Sequence, residues 1–126
     1  MQRILVIDDD QKNIFAMEAI LRSRGFLVST AFSGKEGLLK LRGEDHVSIV
    51  LVDMMMPDLD GSGTIRLIRS LGKTRNIPIV AVTALAMADD REKCLAAGAN
   101  EYLPKPIDVD KLFQIIERFV NQDVSQ

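Results

Sequence analysis

Apolar residues follow two kinds of pattern along the chain. Residues 4–7, 49–52 and 79–82 are unbroken apolar runs, as in strands covered on both faces. Residues 27–31 and 101–103 read as weaker strands, the first of them at a sheet edge. Between the strands, apolar positions recur at helical spacing. Ile14, Met17, Ile20 and Leu21 make the inner stripe of a helix that Asp10 or Asn13 can cap. It runs to about Arg24, and Gly25 stops it. A second helix over residues 34–42 carries Leu38, Leu39 and Leu41, and residues 43–46 form a polar turn. Residues 57–61 are a turn by composition, and a third helix to about Leu71 carries Ile65, Leu67, Ile68 and Leu71. A fourth helix over residues 86–97 ends at Gly98. The fifth runs from about Asp108 to Asn121, with Val109, Leu112, Phe113, Ile116 and Val120 on one face.

Five strands alternating with five helices predict an α/β fold, a parallel sheet with helices on both faces. Right-handed crossovers leave few arrangements. The natural choice is a doubly wound five-stranded sheet in the flavodoxin-like order 2-1-3-4-5. Its ligand crevice lies beyond the C-terminal ends of strands 1 and 3.

Composition changes this picture little. The 126 residues suit a single domain over 1–126. A net charge of −2 gives no electrostatic reason to expect nucleic acid or an anionic membrane as partner. No apolar stretch approaches the roughly 18 residues of a membrane span. A single cysteine, Cys94, rules out an internal disulfide and reads as a small buried side chain. A cytoplasmic location is the expectation.

The strand ends carry the chemistry. Asp8, Asp9 and Asp10 follow strand 1, Asp53 ends strand 3, Thr83 ends strand 4, and Lys105 follows strand 5. Carboxylates forced together repel unless a cation neutralises them. Mg²⁺ prefers oxygen ligands, commonly one or two carboxylates with phosphate and water. No Cys or His lies near these ends, which disfavours zinc. Lys105 and Thr83 can bind phosphoryl oxygens, and Asp53 is the candidate nucleophile. Alone, Thr83 reads as a structural hydroxyl and Lys105 as a surface lysine; their company gives them meaning. Asp10 reads as a helix cap, and Met54, Met55 and Met56 as apolar surface at a strand end.

Four segments in order resemble the receiver domains of bacterial response regulators: residues 4–9 (ILVIDD), 50–61 (VLVDMMMPDLDG), 82–84 (VTA) and 102–106 (YLPKP). The resemblance covers almost the whole chain. It implies that Asp53 accepts a phosphoryl group in a Mg²⁺-dependent reaction, and that Asp8, Asp9, Asp53 and the Met55 carbonyl hold the metal. It implies that Thr83 senses the phosphate, that Lys105 binds it, and that Tyr102 turns inward when Thr83 moves. It also implies a cis Lys105–Pro106 bond. The implied partners are a histidine kinase or phosphotransfer protein on the first helix and a downstream protein on the helix 4–strand 5–helix 5 face. Residues 13–17 and 83–87 are similar to receivers attached to hybrid histidine kinases. Met55 and Leu85 are expected to flank the phosphoryl site, and their apolar side chains predict slow self-dephosphorylation.

Three other readings compete. A phosphatase of the haloacid-dehalogenase type would use Asp8 and Asp10, but Asp10 lacks a following Gly-Thr pair and no late strand ends in two acids. A pseudo-receiver would keep the fold without phosphorylation; the complete acid, Thr and Lys set argues against it. A flavin carrier would need the clustered acids to tolerate a flavin phosphate, and no Trp is present to stack on the ring.

Overall fold

The computed structural model describes residues 2–43, 46–56, 61–84 and 88–124. Five strands, β1 (Arg3–Ile7), β2 (Leu27–Ala31), β3 (Ile49–Asp53), β4 (Ile79–Thr83) and β5 (Glu101–Pro104), form one parallel sheet in the order β2-β1-β3-β4-β5. Five helices separate and follow them: α1 (Gln11–Ser23), α2 (Gly34–Gly43), α3 (Gly61–Ser70), α4 (Ala88–Ala97) and α5 (Val109–Val124). The expected order is the observed one. A short 3₁₀ turn, Gly72–Thr74, which the apolar pattern did not foretell, follows α3.

Strand alternation divides the core in two. Ile4, Val6, Leu51, Val80 and Leu103 pack with Ile14, Met17 and Leu21 of α1 and Leu112, Phe113 and Ile116 of α5. Leu5, Ile7, Val50, Val52 and Ala81 pack on the other face with Leu41, Ile65, Ile68 and Cys94. Both faces are covered, which is why the central strands read as continuous apolar runs.

The α1 cap is Asp10, whose side chain accepts from the Lys12 N–H at 2.9 Å. Gly25, at φ +88°, ends the turn after α1. Some apolar positions lie outside the core. Leu39 and Leu67 are exposed on α2 and α3, and Val109 opens α5 at the surface. The methionine run is not the apolar surface expected of it. Met56 is buried and Met54 packs against the second core, so only Met55 faces out. Residues 57–60 of the expected 57–61 turn and the start of the expected fourth helix, Ala86 and Met87, lie outside the described residues, and Gly61 opens α3 instead of closing the turn.

Gly61 fixes how α3 meets the end of β3. A Cβ there would lie 2.5 Å from Met54 Cα and 2.8 Å from the Asp53 carbonyl oxygen, both backbone atoms that cannot swing aside. Gly61→Ala is therefore expected to destabilise the domain by about 1–3 kcal/mol in urea unfolding. Gly43→Ala, where a Cβ would meet nothing within 4 Å, is expected to be neutral or slightly stabilising. Equal stability of the two variants would contradict the close approach assigned to Gly61.

Candidate functional site

The same alternation that divides the core sorts the polar residues at the strand ends. Asp8 lies two residues beyond Val6, Asp53 two beyond Leu51, and Lys105 two beyond Leu103, all on the side of the sheet that α1 and α5 cover. Thr83 lies two beyond Ala81, on the opposite side. β1 and β3 are neighbours in the sheet, so their ends bring Asp8 and Asp53 together.

Carboxylate oxygens of Asp8, Asp9 and Asp53 all lie within 4.8 Å of one another. Asp8 and Asp53 are buried, whereas Asp9 is exposed. Lys105 Nζ stands 3.4 Å from Asp53 Oδ1 and 4.0 Å from Asp8 Oδ2. Two backbone donors complete the arrangement: the Asp10 N–H reaches Asp8 Oδ1 at 2.9 Å, and the Met55 N–H reaches Asp53 Oδ1 at 3.1 Å. Burial pushes the Asp8 carboxyl up to about 6, and the Asp53 charge adds to that rise. The Asp10 N–H and Lys105 oppose it.

A hard divalent cation fits this donor set. Three oxygen ligands converge, and one of them is held against its ionisation by burial and by a neighbouring negative charge. Lys105 relieves part of that repulsion as a point charge.

Thr83 is buried at the end of β4, and its carbonyl accepts from the Lys105 N–H at 2.7 Å. Backbone therefore joins the residue carrying the hydroxyl to the one carrying the amine. Tyr102 pairs with Ala81 in the sheet register and packs, half-buried, on the second core. The Arg91 guanidinium lies 5.9 Å from the centre of its ring. The Lys105–Pro106 peptide is cis. Of the two expected flanking residues, Met55 is exposed beside Asp53, and Leu85 lies outside the described residues.

The sequence reading missed a cavity of about 470 Å³ that opens beneath the acids. Asn13, Ala16, Met17 and Ile20 of α1 line one wall, and Pro106 and Ile107 line another. The spacing i, i+3, i+4, i+7 marks these α1 residues as one face, but which part of a helix face is left unfilled depends on the partner across the gap.

The family model for the response regulator receiver domain matches residues 4–117. The response regulator PleD of Caulobacter vibrioides is 41% identical over 111 residues, 88% of this chain and 24% of PleD. The signal transduction histidine-protein kinase BarA of Escherichia coli is 33% identical over 116 residues, 92% of this chain and 12% of BarA. The chain thus spans a quarter or less of the length of these two relatives. The receiver domain of sensor histidine kinase PA1611 of Pseudomonas aeruginosa is 37% identical with a TM-score of 0.83, covering 95% of this chain and 98% of that one. That structure has a magnesium ion coordinated in its active site cleft. Its family match, its sheet order and its relatives agree: the chain belongs to the response regulator receiver domains of two-component signalling.

Proposed function

We propose that this domain takes a phosphoryl group onto Asp53 from a histidine kinase or histidine phosphotransfer protein, with Mg²⁺ held by Asp8, Asp9, Asp53 and the Met55 carbonyl. The observation that carries the reading is the convergence of three carboxylates and one lysine at the ends of β1, β3 and β5. Bound there, the cation would neutralise charge on the phosphoryl oxygens. Everything else falls to the chain itself. An Asp53 carboxylate oxygen attacks phosphorus, the bond to the donor's leaving group breaks, and an acyl phosphate forms. The Met55 N–H holds Asp53 Oδ1 in place. Lys105, already 3.4 Å from Asp53, binds a phosphoryl oxygen without a large move.

The switch is read as a change at Thr83 and Tyr102. Thr83 supplies a hydroxyl to the phosphoryl group from the far side of the sheet, and Tyr102 fills the space it leaves. Support comes from their shared side of the sheet and from the half-buried setting of Tyr102. The output face is then helix α4, strand β5 and helix α5, and the target is a protein. Phe15, 76% exposed on α1, offers the phosphodonor an apolar contact. Among the described residues no helix is long and apolar enough to cross a membrane.

Incubation with acetyl phosphate and Mg²⁺ is expected to add one phosphoryl group to the intact mass. Asp53→Asn or removal of Mg²⁺ should abolish the gain. Steady turnover of phosphoesters through Asp8 would instead revive the phosphatase reading, and no gain even with a kinase would favour a pseudo-receiver.

Thr83→Ala should still accept the phosphoryl group but lose most of the phosphorylation-dependent change at Tyr102, read by ring NMR signals or fluorescence. A full response in that variant would contradict the switch.

The Asp8 environment sets a pH dependence for the metal-free domain. The folded-state carboxyl is raised to about 6 from 3.8, so folding is favoured while Asp8 is protonated in both states. Stability contributed by this group falls as pH rises from about 4 to about 6 and stays low above that. Asp8→Asn keeps an oxygen for the Asp10 N–H and removes the charge. It is expected to stabilise the metal-free domain by about 1–2 kcal/mol at pH 7 and to make little difference at pH 4. Loss of stability at pH 7 would contradict this.

A further inference from the structure

The cavity beneath the acids is set apart from the rest of the core by its contrast of ends. Its floor is Val6 and Leu51, on the face of the sheet that carries Asp8 and Asp53. Its walls are α1 and the segment after β5. Its upper end reaches Asp8, Asp53 and Lys105 themselves. At about 470 Å³ it falls within the range of pockets that take small molecules, which are mostly apolar with a few placed polar groups.

Charge at the upper end selects the occupant. Asp8 and Asp53 line this end against one lysine, Lys105, and the exposed Asp9 carboxylate stands beside them. The balance is negative, and an anionic head would meet two buried carboxylates. A cation attached to an apolar body satisfies both ends at once: the body buries apolar surface against the lining, and the head shares the acids with Lys105.

We infer that the cavity between α1 and the segment after β5 is a binding site for a small organic ammonium with an aryl or short alkyl body. Its head sits where the proposed cation would be held, so occupancy opposes metal binding and hence phosphoryl uptake. That antagonism rests on the function proposed above. The binding itself rests on the cavity and the carboxylates at its upper end.

Phenethylammonium is a suitable probe, with 2-phenylethanol and ethylammonium as controls that lack the charge or the body. Titration of the full chain by amide NMR is expected to move signals of Val6, Ile20 and Ile107 with phenethylammonium. Either control should bind at least about tenfold more weakly. Ala16→Leu fills the cavity from an exposed position on α1. It should weaken phenethylammonium by about tenfold or more while phosphorylation by acetyl phosphate and Mg²⁺ persists. Ala16→Phe, with its larger side chain, should do the same. Saturating Mg²⁺ should raise the apparent dissociation constant for the amine.

Equal binding of ethylammonium would reduce the effect to a counter-ion at the acids and overturn the site. Unchanged binding in both Ala16 variants, with the variants folded by their amide spectra, would overturn it too. Amine binding that obeys these expectations in a chain that never gains a phosphoryl group would uphold the cavity and sink the proposed function instead.

Discussion

Burial of the Asp8 carboxylate beside that of Asp53 is the constraint on which the rest of the site depends. Both residues are buried, and burial alone makes ionisation costly for Asp8. Such a group persists only where the surrounding structure is stiff enough to hold it. Here the stiffness comes from the two central strands, β1 and β3, paired from Ile4–Ile49 to Ile7–Val52 and covered on both faces. The fold therefore brings three carboxylates together where a cation would fit. Lys105 sets one positive charge beside two of them from the next strand end but one.

Separation of tasks between the faces of the sheet follows from the period of two along a strand. Asp8, Asp53 and Lys105 stand over the α1–α5 core, whereas Tyr102 packs on the other core and Thr83 lies on that side of the sheet by strand alternation. Backbone bridges the two sides, since the Lys105 N–H bonds the Thr83 carbonyl. Under the proposed function, a change at Lys105 on phosphorylation would reach the strand end that carries the hydroxyl through this one hydrogen bond. Only a bias of a few kcal/mol between two conformations is needed for such a switch.

The elements that position the site were legible because burial on both faces writes itself as unbroken apolar runs. Runs 4–7, 49–52 and 79–82 became β1, β3 and β4, and the polar residues after them met at one edge. Asp10 as the cap of α1 was legible for a local reason, a carboxylate in reach of the second N–H of its own helix. What escaped depends on partners distant in sequence. Leu39 and Leu67 look like core residues in their helices, yet the sheet is already covered without them. Met56 looks like surface at a strand end before a turn, yet it turns back into the second core. Gly61 was expected to serve a turn, but its need is steric, because the backbone of Asp53 and Met54 passes too close for a Cβ. Arg69 gave no signal at all. It binds the carbonyls of Arg75, Ile77 and Gly98 and the side chain of Asn100, tying α3 to the end of α4 far from the acids in sequence. Burial lowers the guanidinium from its ordinary pKa, while the carbonyls that enclose it accept its hydrogen bonds.

The central claim is that the fold forces these carboxylates into a cation-demanding cluster, and calorimetric titration with Mg²⁺ tests it most directly. The account predicts one ion per wild-type chain, with Asp8→Asn and Asp53→Asn each weakening binding by about tenfold or more. Undetectable binding to the wild type, or wild-type affinity in both variants, would contradict it.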